Sequence, residues 1–294
     1  MADSLIDLIK VLRDRTGAGL MDCKAALLAT DCDLDKACDW LREKGLAKAA
    51  KKADRIAAEG LADVSCCKCG KRAVIIEVNC ETDFVAKGDA FKALVKDVEA
   101  VILDKELTTV EEAKAACESL FADATVKMGE KFDLRRFEIV RKEEGQGLGS
   151  YIHMGGKIAS VVLLDKEDAE LAEQLAMHIA ANNPSYISSS DIPADVLAHE
   201  KNIQLEAAKN DEKLKNKPAE VLDKILDGKV RKTFSEVTLL DQAFLMDDSK
   251  TIAQLLKEKG VNVLKFVRYQ VGEGIEKRKD DFASEVMNQV SDNK

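Results

Sequence analysis

Two thiolates at the spacing Cys66-x-x-Cys69 can grip one zinc ion, which makes this pair the chain's sharpest metal-binding signal. Structural zinc needs four ligands, however, and only Cys67 and Cys80 are available to add to the pair. No second Cys-x-x-Cys pair exists, so the segment reads as a solvated hairpin turn and no metal site is expected. The three histidines, His153, His178 and His199, are scattered, and no Ser, Cys or Asp pattern around them suggests a triad. They read as structural, and no catalytic residue is expected. No glycine-rich loop ends in Gly-Lys-Ser/Thr, and Gly147-x-Gly149 precedes no helix, so direct nucleotide binding and cofactors are not expected. The cluster Arg42, Lys44, Lys48, Lys51, Lys52 and Arg55 could in principle face RNA. It carries no interleaved aromatics for base stacking and reads as a solvated helical face. The remaining oddity is Glu81-Thr82-Asp83-Phe84-Val85-Ala86-Lys87, directly after a strand ending near Asn79. On composition alone, Phe84 at such a strand-to-helix turn is an inward staple.

The elements that must position these residues follow from the apolar period. Leu5, Leu8, Ile9 and Leu12 share one helical face; Thr16 to Gly19 breaks that helix, and a second runs from about Met21 to Ala29. Asp33 is placed to cap a third helix with Leu34, Ala37, Cys38 and Leu41 on one face, which Gly45 can end. Leu46 to Ala58, rich in Ala and Lys without an apolar stripe, reads as a solvated helical linker. From Gly60 the period alternates: strand, a turn at Cys66 to Gly70, then a strand with Val74, Ile76 and Val78 on one face. Helical spacing returns at Phe91 to Ile102 and Val110 to Met128, and strand character at Phe137 to Val140. Gly145 to Gly149 looks like a joint. Beyond it come Tyr151 to His153, a Gly155-Gly156 turn, a strand from Ile158 to Leu164 and a helix carrying Leu171, Leu175 and Ile179. That order echoes the first unit, which suggests two similar subdomains. Pro193 opens a helix to about Asn216, and Pro218 another to Gly228. Val261 to Val271 reads as a closing strand and Asp280 to Val290 as a final amphipathic helix.

The fold class is therefore α+β. The expected parts are a three-helix head (1–45), a linker (46–59), a first core subdomain (60–144), a second (145–192 and 229–278), a helical hairpin arm (193–228) and a C-terminal helix module (279–294). At 294 residues, two or three packed units are expected. Hydrophobic content of 46% with 34% charged residues is that of an ordinary folding chain. The longest apolar runs fall far short of the ~20 residues that span a bilayer. The N-terminus carries Asp3 and Asp7 instead of a basic leader, so no membrane partner is expected. Eight cysteines without a signal peptide point to reduced thiols and the cytoplasm. A net charge of −9 disfavours nucleic acid as a partner.

Two long segments then carry a resemblance: Arg13-Asp14-Arg15-Thr16-Gly17-Ala18-Gly19-Leu20-Met21-Asp22-Cys23-Lys24-Ala25-Ala26-Leu27, and Glu77-Val78-Asn79-Cys80-Glu81-Thr82-Asp83-Phe84-Val85-Ala86-Lys87. Both resemble signature motifs of the elongation factor Ts family. Further agreement lies at Gly149 to His153, Ala176 to Ala181 and Val271 to Lys277. The resemblance implies a ubiquitin-associated-like head, a core of two sheet-plus-helix subdomains, a coiled-coil arm and a C-terminal helix. It implies a non-enzymatic guanine-nucleotide exchange factor whose partner is elongation factor Tu. By the same resemblance, Arg13, Leu20, Met21 and Lys24 meet the GTPase domain, with Leu20 where the family often has Met. Thr82, Asp83, Phe84 and Val85 displace the partner's Mg²⁺, Phe84 wedging between its helices, and His153 faces the partner's third domain. The arm reads as an appendage, with homodimerisation through it as the alternative. The rival function is an RNA-binding translation accessory protein.

Overall fold

The computed structural model describes residues 4–209, 211 and 218–276. The chain begins with α1 (Leu5–Thr16), α2 (Leu20–Ala29) and α3 (Leu34–Lys51). Ser4 caps α1 by accepting from the Asp7 amide, and Asp33 caps α3 by accepting from the amides of Asp35 and Lys36, as its position predicted. Leu12, Ala18, Cys23, Ala26, Leu27, Ala37 and Leu41 form the small core between the three helices.

The next unit is a three-stranded antiparallel sheet, β1 (Glu59–Cys66), β2 (Arg72–Cys80) and β3 (Asp133–Arg141), with β2 in the middle. Between β2 and β3 run α4 (Asp83–Ala86), α5 (Asp89–Lys105), α6 (Val110–Ala116) and α7 (Glu118–Met128). The helical stretch expected from Val110 to Met128 is thus two helices, parted at Cys117. On one face of β2, Val74, Ile76 and Val78 pack on Phe91, Val95, Val98 and Ile102 of α5. On the other, Ala73 and Ile75 join Ala159, Val161, Val267 and Tyr269 of a second sheet. Both faces of β2 are covered, which explains why it reads as a nearly unbroken apolar run.

The second sheet is β4 (Gly147–His153), β5 (Ile158–Leu164) and, much later in the chain, β8 (Val263–Gln270), again antiparallel with the second strand in the middle. α8 (Ala169–Asn182) covers its outer face. The hairpin-then-helix order expected of both halves is present in both. Between α8 and β8 lie α9 (Ala194–Lys209), α10 (Ala219–Ser235), a small hairpin of β6 (Ala243–Phe244) and β7 (Asp247–Thr251), and α11 (Ile252–Lys259). The hairpin and α11 were not anticipated.

Three local expectations are corrected. Gly45 does not end α3, which continues to Lys51. A Cβ on Gly45 would lie 2.8 Å from Val126 Cγ2 and 2.9 Å from the Ala122 carbonyl oxygen, so this glycine is the point where α3 and α7 touch. The first turns of the supposed linker are the end of that packed helix. Gly147 and Gly149 are strand residues, not a joint: a Cβ on Gly149 would come within 2.3 Å of the Ala172 backbone, where α8 presses on β4. Gly228 does not end α10, because Leu222, Ile225 and Leu226 before it and Val230 after it keep an apolar face in place. The expected continuation of the arm's first helix to about Asn216 falls on residues 210 and 212–217, which, like the expected C-terminal helix (279–294), lie outside the described residues. Among the described residues, no helix is long and apolar enough to cross a membrane.

Candidate functional site

The segment after β2 is a tightly bonded turn. Thr82, in extended conformation, caps the single-turn helix α4 by accepting from the Val85 amide at 3.3 Å. Its own hydroxyl donates to Glu130 Oε1 at 2.6 Å, while Glu130 Oε2 accepts from the amides of Glu81 (3.0 Å) and Thr82 (3.1 Å). One carboxylate just past α7 therefore takes three hydrogen bonds from the turn. Glu81 is held in turn by the Lys131 amide at 2.7 Å and by Arg55 at 3.1 Å. The buried Cys80 thiol, which burial pushes up to about 12, stays protonated and donates to the Thr82 carbonyl at 3.2 Å. Lys87 closes the exposed side with a 2.6 Å ion pair to Asp83, and its hydrogen bond holds the Asp83 carboxyl below the usual range.

This scaffold presents Phe84 to water. The ring is 86% exposed, the most exposed large apolar side chain among the described residues. The inward staple expected from composition alone is not what forms, because Val85 and Ala86 take the inward positions against the first core.

The other candidate residues stand on separate surfaces. Arg13 lies in the last turn of α1, and Leu20, Met21 and Lys24 lie in the first turns of α2, all exposed on either side of the turn at Gly17, with Met21 at 77%. None makes a hydrogen bond or ion pair with Thr82 to Val85 among the described residues. They are linked to it through the frame: α3 lies on α7, and Lys131 Nζ donates to the carbonyls of Ala53 (2.6 Å) and Arg55 (2.9 Å) beyond α3. His153 sits at the tip of the β4–β5 hairpin, half-buried, with its ring 5.9 Å from that of Tyr151. Exposed Ile152 and Met154 flank it. Lys157 of the same hairpin pairs with Glu59 at 2.7 Å and lends positive charge to Asp83, so the hairpin tip and the Phe84 turn lie on neighbouring ground.

His178 is structural, as expected of it. It is buried, accepts from the Leu245 amide at Nδ1 (3.2 Å) and donates from Nε2 to Gln242 (2.8 Å), and burial lowers its pKa so that it stays neutral. Sequence reasoning missed Glu130 and Lys131, which hold the turn, and the apolar pair beside His153; it placed Arg55 on a solvated helical face, whereas Arg55 lies past the end of α3 and pairs with Glu81. Glu130 lies 48 residues from Thr82, and no local period marks it.

The family model described as Elongation factor TS matches residues 81–273. The chain is also similar to an elongation factor Ts from Lactiplantibacillus plantarum, at 46% identity over 293 residues, covering 97% of this chain and 97% of that one.

Proposed function

We propose a mechanism from one premise: the chain belongs to the elongation factor Ts family. It is accordingly a cytoplasmic, non-enzymatic guanine-nucleotide exchange factor that acts on elongation factor Tu in translation elongation. GTPases hold nucleotide through backbone amides, a phosphate-contacting Lys and a Mg²⁺ that bridges the phosphates. An exchange factor must weaken those contacts by preferring the nucleotide-free state. The preference is reciprocal: the factor by which it lowers nucleotide affinity is the factor by which nucleotide lowers its own.

In our reading the Phe84 ring is the wedge, carried by Thr82, Asp83 and Val85 toward the partner's Mg²⁺. The observation that carries this is the 86% exposure of the ring on a turn held by Glu130. Full burial of a Phe contributes roughly 1.5 to 3 kcal/mol, and ~1.4 kcal/mol is tenfold in an equilibrium constant. The ring alone thus weakens nucleotide by about one to two decades. The head (1–45), with Arg13, Leu20, Met21 and Lys24, supplies a second contact, and His153 with Ile152 and Met154 a third on the second subdomain. The arm (193–228) is an appendage, a reading supported by Leu205, Ala208, Leu222, Ile225 and Leu226 being turned on one another. The test follows release of a fluorescent GDP analogue from elongation factor Tu. Phe84→Ala is expected to slow release about tenfold or more with its fold intact; a wild-type rate in that variant refutes the wedge.

A further inference from the structure

Cys66 ends β1, and Cys67 and Cys69 stand in the turn that leads to β2; the exchange mechanism proposed above uses none of them. Their sequence spacing singles out Cys66 and Cys69; the structure instead sets the sulfurs of Cys67 and Cys69 side by side, in direct contact. The turn is closed by the Cys67 amide donating to the Arg72 carbonyl and the Gly70 amide donating to the Cys67 carbonyl, both at 2.8 Å. Cys69 is exposed and Cys67 half-buried, at the edge of an open cavity of about 550 Å³ that Lys68, Lys96 and Glu99 also line. Among the described residues, no group of three or more His, Cys, Asp or Glu side chains is arranged to hold a metal ion. The juxtaposition is thus one of two thiols and not of a ligand cage.

We propose that Cys67 and Cys69 form a thiol–disulfide exchange site for low-molecular-weight disulfides, in which Cys67 attacks and Cys69 resolves. The Cys67 thiolate attacks one sulfur of the small disulfide; that S–S bond breaks, one small thiolate leaves and takes a proton, and a mixed disulfide remains on Cys67. The Cys69 sulfur, losing its proton, then attacks Cys67 Sγ and expels the second small thiol. The two protein thiols are oxidised to one disulfide and the small disulfide is reduced to two thiols, so electrons and protons balance without a further reagent.

The surroundings favour that order. Burial would push the Cys67 thiol up, but bonds from the Cys69 thiol, the backbone at Arg72 and Lys71 and the Arg72 guanidinium hold it down, to about 6. An attacking thiol works best when it ionises near ambient pH. Desolvation and the neighbouring Cys67 raise Cys66, which unfits it for the attack. The site also stands apart from the exchange turn: it precedes β2 and Phe84 follows it, and nine residues of strand at ~3.3 Å each separate the ends by about 30 Å. In a cytosolic chain a disulfide at such a turn is transient and sensing, not structural.

The test incubates the reduced full chain with oxidised glutathione at about pH 6, quenches with acid, alkylates and maps the cysteines by mass spectrometry. Cys67 is expected to react about tenfold faster than the exposed Cys32, since its larger thiolate fraction outweighs its lower intrinsic nucleophilicity. The product is a peptide short of two hydrogens, linked Cys67 to Cys69 and closed to alkylation. Cys69→Ser should trap the glutathione mixed disulfide on Cys67, Cys67→Ser should leave Cys69 no faster than Cys32, and both variants should release GDP from elongation factor Tu at the wild-type rate. A Cys66–Cys69 link, or Cys67 reacting no faster than Cys32, overturns the assignment.

Discussion

Phe84 keeps its ring in water because its neighbours have used the inward directions, and Glu130 keeps the turn from relaxing around it. The half-buried Glu130 carboxylate bonds to Glu81 and Thr82, so its removal tests positioning separately from the wedge. Glu130→Ala is expected to slow GDP release about threefold to tenfold, the effect of roughly 1 kcal/mol lost from bonds to one charged group. Unchanged release would mean the turn holds its shape without it. A different residue links the fold to pH. Glu99 lies buried beside Ser65 and Lys96, and burial, aided by the charge of Asp63, pushes its carboxyl from 4.5 up to about 7. Between those values the folded chain holds a proton that the unfolded chain has released. The stability from this group is therefore full below the unfolded value and lost as pH rises through about 7, a swing on the order of 3 kcal/mol. Glu99→Gln has nothing to titrate, so its urea-unfolding free energies at about pH 5 and about pH 8 should differ by that much less than the wild type's; an unchanged difference would remove Glu99 as the cause.

At the scale of elements, the contact of α3 with α7 decides how the head is carried. Replacing a mid-helix glycine by alanine ordinarily stabilises by about 0.5 to 1 kcal/mol. At Gly45 the added methyl meets the Ala122 backbone, which cannot swing away, so the sign should reverse. Gly45→Ala is expected to lower unfolding free energy by about 1 to 2 kcal/mol in urea titration; a more stable variant would show that the helices have room to part. The same glycine shows where the sequence stops being legible. Asp33 as a cap, the break after α1, the β1–β2 hairpin and the apolar faces of α5 and α8 all rest on neighbours in the chain, and each is readable there. Gly45, Gly149 and Gly228 look like stops by local rules, yet the first two answer to contacts from distant elements and the third is outvoted by its helix's apolar face. The β6–β7 hairpin was missed because its strands have two and five residues, too few to show a period. The α11 start did carry a local sign, the Thr251–Gln254 capping box. In the candidate site, composition alone pointed Phe84 inward and the family resemblance pointed it outward; the structure exposes it, with Val85 and Ala86 turned inward instead, and the Glu130 bonds that hold the turn come from a residue too distant in the chain to be read locally.

Across the whole molecule the two sheets share one core, and a buried charge is set at their seam. Glu77, fully buried in β2, accepts from Arg135 (3.0 Å), Arg136 (2.6 Å), Asn79 (3.2 Å) and the Gly272 amide beyond β8 (2.8 Å). Arg136 also lies 4.2 Å over the Tyr269 ring of the second sheet. Removing the carboxylate takes a partner from two guanidiniums and a backbone amide at once, although Arg135 keeps the Glu273 carbonyl and Arg136 the Gln270 carbonyl and the Glu273 carboxylate. Glu77→Ala is expected to cost about 3 kcal/mol of stability, at the low end for a broken buried pair because both arginines are a quarter exposed. A loss under 1 kcal/mol in urea titration would mean that water replaces it. The path from head to wedge is similarly unbroken: α3 lies on α7, and the residue two past α7 grips the turn that bears Phe84. On the proposed mechanism these two contacts are the jaws of a caliper locked at one opening. A GTPase is gauged by the spacing of its two footholds, and one whose footholds have drifted apart can seat either jaw but not both.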